Sequence, residues 1–168
     1  MAVSADILRS YRAPRAVLRD RLARGPHAGR EGRALVYLMI ACGLIFVAQW
    51  PRLARQAHLT DEVPFEALMA GALFGWMFLA PLFFYAVGAL LGLALRIVRR
   101  GTDPFAARLA LFWALLAVSP LVLAQGALAA LVGPGILVLI TGLAVVAAFL
   151  AILVAGLRAA LAAGDAQA

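Results

Sequence analysis

Two long stretches of this chain carry no charged residue. Residues 67–95 and residues 109–157 contain no Asp, Glu, Lys, Arg or His. About 20 mostly apolar residues cross the hydrocarbon core of a bilayer. Backbone polar groups in lipid must be satisfied internally, so runs of this kind fold as transmembrane helices. The second run is interrupted by Gly133-Pro134-Gly135 and divides into two spans. Between the two runs lie Arg96, Arg99, Arg100, Asp103 and Arg108. The pattern is a membrane hairpin with a basic turn, around which the remaining segments pack. Composition agrees: 65% of the 168 residues are hydrophobic and 14% charged, against roughly 45–50% and 25% in a soluble domain.

The chain divides into a basic segment over 1–33, a transmembrane domain over 34–160 and a short tail over 161–168. The basic segment has eight arginines against Asp6, Asp20 and Glu31. Within it, Leu8, Tyr11, Leu18 and Leu22 recur at close to helical spacing, and Pro14 suits a first helical turn. This predicts a short amphipathic helix over Pro14–Arg24, lying on the membrane face with its apolar side chains dipped in and its arginines toward headgroups. A basic tail without fixed structure is the alternative. Four spans follow, over about 34–50, 65–98, 104–132 and 135–160. Trp50 anchors the outer end of the first. The second is long, and Pro81 at its middle predicts a kink. Pro120 predicts another in the third span, with Ser119 placed to rebond a freed carbonyl. Thr102-Asp103-Pro104 has the chemistry of a helix cap followed by a first-turn proline. Gly71, Gly75, Gly88 and Gly92 form two small-xxx-small pairs suited to close helix packing, and Gln125 is expected to hydrogen-bond between helices. The fold class is therefore all-α: a polytopic transmembrane bundle of four spans with an N-terminal interfacial amphipathic helix.

Arginine placement sets the expected orientation. The N-terminal segment has eight, the turn after the second span four, the loop after Trp50 two and the Gly133-Pro134-Gly135 turn none. Both termini on the cytoplasmic side satisfy the positive-inside rule at every loop. The arginine-only, alanine-rich composition suggests a GC-rich bacterial genome and hence a bacterial inner membrane. The charge of +7 sits beside apolar spans, which points to topology and anionic lipid rather than nucleic acid.

Little in the sequence carries chemistry. Ionisable residues inside a membrane mark proton relays and ion paths, and the second to fourth spans have none in their cores. His27 and His58 fall in flanks expected on opposite membrane faces. The single Cys42 excludes an intramolecular disulfide and a cysteine-based zinc cluster. No phosphate loop, HExxH or GxSxG motif occurs. No cofactor, metal or catalytic residue is assigned.

The segment Ala13-Pro14-Arg15-Ala16-Val17-Leu18-Arg19 resembles the juxtamembrane entry of bacterial Yip1-domain proteins. So does Gly101-Thr102-Asp103-Pro104-Phe105, leading through Ala107-Arg108 and Leu111-Phe112-Trp113 into Ser119-Pro120. The resemblance implies a multispan helical membrane protein without catalytic residues, in a family whose eukaryotic members are linked to vesicle traffic. The family's common layout has five spans against the four counted here.

The expected function is a non-catalytic structural or interaction component. It would engage anionic lipid, a membrane-protein partner or a second copy of itself through Arg12, Arg15, Arg19, Arg96, Arg99 and Arg100. The same arginines also serve the simpler role of setting topology. The rival reading, from another class, is a small-solute channel or carrier opening at the Pro81 and Pro120 kinks.

Overall fold

The computed structural model describes residues 3–23, 29–59, 63–98 and 103–165. Two short helices, α1 (Val3–Ser10) and α2 (Pro14–Ala23), are followed by α3 (Arg30–Leu59) and α4 (Phe65–Phe74). A π-helical turn, Gly75–Leu79, leads into α5 (Ala80–Val98), then α6 (Pro104–Val132) and α7 (Ile136–Asp165). Every regular element among the described residues is helical. Four stretches are long and apolar enough to cross a membrane: Arg30–Leu59, Phe65–Ile97, Pro104–Val132 and Ile136–Ala162. The expected four-span all-α bundle is present.

The bundle is built around α6, which packs against α3, α5 and α7 along its length and against α1 and α2 near its start. Asp103 caps it, its carboxylate accepting from the Phe105 backbone N–H at 2.9 Å, with Pro104 in the first turn. Except for Arg108, every residue from Phe105 to Ser119 is buried. At the far end Gly133 takes a φ of +80°. There the Arg55 guanidinium donates to the Ala130 carbonyl at 3.1 Å and lies where a Cβ on Gly133 would fall, 2.6 Å from one of its nitrogens.

The prolines act in three different ways. Pro51 was expected to start the polar connection, but α3 runs through it to Leu59. Leu53 is buried and Arg55 reaches α6, so packing holds the extra turns in place. At Pro81 the irregularity is the π-helical turn just before it, where the Ala80 N–H donates to the carbonyl of Gly75, five residues back. A proline cannot donate to the carbonyl four residues earlier and its ring crowds that carbonyl. Widening the preceding turn accommodates it. At Pro120 the helix is continuous, and the Ser119 hydroxyl donates to the Leu116 carbonyl at 2.8 Å. That is the carbonyl a residue with an N–H at position 120 would have bonded.

Glycines mark the close approaches. A Cβ on Gly88 would sit 2.9 Å from Cγ of Arg108, and one on Gly92 would sit 3.2 Å from Cα of Pro104, where α5 meets α6. Gly126 lies directly against the Ala48 carbonyl of α3, and Gly156 against Ala110 and Leu18. Around Gly71 and Gly75 there is open space within 4 Å. Of the two small-xxx-small pairs, the second therefore sits at a helix contact and the first does not.

Candidate functional site

The short helix α2 was expected to dip its apolar side into lipid. Its apolar residues instead enter the protein: Val17 and Leu18 are almost fully buried, in one cluster with Leu38, Cys42, Phe112 and Trp113. The alternative of a tail without fixed structure is likewise replaced. Pairing of α1 with α2 accounts for this. The two helices form a hairpin, and the hairpin is fastened to α6 by polar groups far apart in the chain.

The Trp113–Ser10 and Tyr11–Ala117 bonds reach α6, and bonds within the hairpin and to Tyr37 of α3 brace them. The Trp113 indole N–H donates to Ser10 Oγ at 2.9 Å, and the Ser10 hydroxyl donates to the Asp6 carbonyl at 2.8 Å. Arg21 pairs with Asp6 at 2.7 Å, their side chains 7% and 4% exposed. A second guanidinium nitrogen of Arg21 donates to the Tyr37 hydroxyl of α3. The Arg21 guanidinium also lies over the Trp113 ring, 3.9 Å from its centroid, and Tyr37 meets Trp113 edge-on at 5.4 Å. Such stacking is attractive through the ring quadrupole. Farther along, the Tyr11 hydroxyl donates to the Ala117 carbonyl at 2.5 Å. Burial pushes the Tyr11 phenol above its usual range, so it remains a donor at neutral pH. Ala117 lies eight residues past Leu109, about 12 Å into the charge-free run at 1.5 Å per residue. The Arg21 guanidinium lies over Trp113, four residues past Leu109, so the hairpin's ion pair sits beside the first turns of the charge-free run.

Around this latch the start of the bundle is basic. Arg108 pairs with Glu31, and Arg30 lies 3.9 Å from Asp103. A cavity of about 190 Å³ is lined by Arg21, Arg30, Arg33 and Tyr37 together with Val3, Phe105 and Leu109. Another, of about 350 Å³, lies between α2 and the end of α7, bordered by Arg15, Arg19, Arg158, Ala159 and Ala162. Of the arginines expected to make contacts, Arg15 and Arg19 are exposed and share this second cavity. Arg12 is exposed in the α1–α2 turn, and Arg96 is exposed near the end of α5. Arg99 and Arg100 lie outside the described residues, as does His27. At the opposite end, Gln125 lines a cavity of about 300 Å³ with Gln49 and Arg52 and lies against Gly142. Neither Pro81 nor Pro120 borders these cavities.

Asp6, Ser10, Arg21, Tyr37 and Trp113 were not singled out as a site. Each belongs to a different local pattern, and only tertiary packing joins positions about 100 residues apart. Among the described residues no group of three His, Cys, Asp or Glu side chains is placed to hold a metal ion. No family model matches the chain, and neither a curated protein nor a solved structure matches it.

Proposed function

We propose that this chain is a non-catalytic interaction component of a bacterial inner membrane, with its basic end toward the cytoplasm, where it gathers anionic phospholipid. One observation carries the reading: the docked hairpin fixes Arg15 and Arg19 beside Arg158 of α7, so that three exposed arginines border one cavity. Held on a rigid element, they form a platform rather than three independent side chains. Each arginine near an anionic membrane surface contributes about 1 kcal/mol, and salt screens it. The resemblance to Yip1-domain proteins fits a role in membrane organisation without catalysis. A carrier opening at Pro81 and Pro120 is not favoured, since neither residue borders a cavity described above.

The test is lipid retention. The full chain is purified in mild detergent with phosphatidylglycerol, and bound lipid is counted across a salt series. Replacing Arg15 and Arg19 together with Gln is expected to lower the number of lipids retained at low salt while leaving the thermal transition in place. Retention that is flat in salt and indifferent to both substitutions overturns the reading and leaves these arginines as topology signals alone.

A further inference from the structure

The end of the bundle away from the hairpin holds polar groups that the helices around them leave unanswered. Gln49 of α3 and Gln125 of α6 open onto the cavity of about 300 Å³ there, with Arg52 beside them. The sequence predicts for Gln125 a hydrogen bond to another helix. Among the described residues, Gln49, Gln125 and Arg52 have no hydrogen-bond or ion-pair partner. Gln125 lies inside the charge-free run over 109–157, and lipid tails offer an amide nothing to bond. The group that answers these side chains comes from outside the three helices and has to fit this cavity.

The walls arrange the polar groups by depth. α3 and α6 touch where Gly126 meets the Ala48 carbonyl, so Gln49 and Gln125 share a level. Ile45, Gln49 and Arg52 recur at intervals of four and three along α3, and Val122, Gln125 and Ala129 at three and four along α6. Each set therefore occupies one helix face. Toward the middle of the membrane the cavity is apolar, at Ile45 and Val122. One turn outward it presents the two amides. A further turn outward stands Arg52, exposed and just past Trp50, at the expected interface. Arg52 follows Ile45 by seven positions, about 10 Å at 1.5 Å per residue. A diacyl phospholipid changes along its length in the same order, from acyl chain to ester carbonyl to phosphate. Glutamine N–H groups donate to carbonyl oxygens, and the arginine fork of donors fits a phosphate. Water satisfies the amides but does not cover Ile45 and Val122. A fatty acid has one polar group and leaves either the amides or the guanidinium unanswered. The volume is at the lower end of the roughly 300–1,000 Å³ of ligand sites, which suits the glycerol waist of a lipid whose chains continue into the bilayer.

We propose that the Gln49–Gln125–Arg52 cavity binds one phospholipid from the leaflet at this end, the two amides holding its ester carbonyls and Arg52 its phosphate. Recognition is of the framework common to diacyl phospholipids and not of net charge. The site is therefore independent of the arginine platform, which lies at the other end of the bundle and gathers anionic lipid.

The experiment uses the full chain in mild detergent with phosphatidylethanolamine, a lipid without net charge that the platform does not select. Native mass spectrometry counts bound lipid, and the thermal transition reports binding. One phosphatidylethanolamine per chain is expected. Its diether analogue keeps the phosphate and the chains but lacks the ester carbonyls, and is expected to bind more than about tenfold more weakly, as the loss of two hydrogen bonds implies. Gln49→Leu and Gln125→Leu are each expected to weaken binding of the diester about fivefold and to leave binding of the diether unchanged. Without lipid, Gln125→Leu is expected to hold or raise the thermal transition; a fall there marks Gln125 as a bond between helices and overturns the proposal. Arg52→Gln is expected to weaken both lipids alike, since both carry the phosphate. Ala129→Phe fills the cavity while keeping its polar groups, is expected to abolish binding, and covers the case in which a glutamine variant fails to fold. The Arg15→Gln, Arg19→Gln double variant keeps this lipid, so failure of the platform and failure of this site are read separately. Equal affinity for the diester and diether forms, or binding indifferent to Gln125→Leu and Ala129→Phe, overturns the proposal. Displacement of the phospholipid by palmitate also overturns it and assigns the cavity to a free carboxylate.

Discussion

The two halves of α6 are made of the same kinds of residue and live in different surroundings. From Phe105 to Ser119 the helix is buried except at Arg108, with Phe112 and Trp113 at 0% and 1% exposure. From Pro120 onward it is open on one side, with Leu131 at 84% and Val132 at 51%. Lipid tails are as apolar as leucine, so hydrophobicity does not choose which half is enclosed. Close packing and hydrogen bonds between helices decide it. The enclosed half has the handles: Trp113 has an N–H to give, Ala110 and Ala114 admit near neighbours, and the α1–α2 hairpin supplies Ser10, Tyr11 and Arg21 to meet them. In the open half Arg55 of α3 donates to the Ala130 carbonyl and Gly126 lies against Ala48, while its other side faces the space lipid fills.

The sharpest test of that contrast is to cut the latch. Asp6→Ala leaves Arg21 buried without its counter-charge, which costs about 3–5 kcal/mol in a buried pair. The expected outcome is a large drop in the thermal transition in detergent and rapid proteolysis within residues 3–23, with α3 to α7 still protected. Leu131→Ala removes a larger apolar side chain from the open half and is expected to shift the transition by less than about 0.5 kcal/mol, the usual range for exposed positions. Equal effects at Asp6 and Leu131 would show that the hairpin contributes nothing to the stability of the enclosed half.

The glycines sharpen the comparison at the next level of energy. Gly126→Ala places a methyl group against the Ala48 carbonyl of α3, a clash with backbone that no rotamer relieves. Overpacking of this kind costs about 1–3 kcal/mol. Gly71→Ala meets open space within α4, and gains roughly 0.5–1 kcal/mol from helix propensity. The two variants are expected to move the thermal transition in opposite directions.

How far the sequence foretells this molecule follows from the same contrast. Charge-free runs and arginine clusters predict four spans because they report on the environment, lipid or water. The Asp103 cap and the Ser119 bond beside Pro120 are legible because both are local, set within a few residues of chain. The Gly71–Gly75 pair and the Gly88–Gly92 pair have identical spacing, and only the second meets a neighbour. Spacing states that a face is smooth and leaves open what lies across it. The latch is the least legible part. Asp6 and Arg21 read as ordinary members of a solvated basic segment, and nothing near them in sequence records that Trp113 and Tyr37 wait to enclose them.

A smaller effect belongs to the boundary between the two halves. Ser119→Ala removes the hydroxyl bonded to the Leu116 carbonyl, and a single hydrogen bond contributes about 1 kcal/mol. The informative variant is the double one. With Pro120 also replaced by Ala, the backbone N–H at 120 regains that carbonyl, and the double variant is expected to be more stable than Ser119→Ala alone. If adding Pro120→Ala brings no recovery, the serine does not substitute for the missing backbone bond.

The smallest effect is expected at the second ion pair of the hairpin, and it provides the cleanest control on the first. Arg9 and Asp20 are 3.1 Å apart, on the same two helices as Asp6 and Arg21, with side chains 45% and 43% exposed. The geometry and the charge types match those of the latch, and only the surroundings differ. Exposed pairs contribute about 0–1 kcal/mol, because solvent screens them and ordering two long side chains offsets much of the attraction. Asp20→Asn is therefore expected to lower the thermal transition slightly at low salt and not at all at 0.5 M salt. Asp6→Asn removes the counter-charge from a buried guanidinium, and its cost is expected to persist unchanged across the same salt series. If the Asp20 effect is as large as that of Asp6 and equally indifferent to salt, the outer face of the hairpin is enclosed as well, and a further protein surface covers it in the membrane.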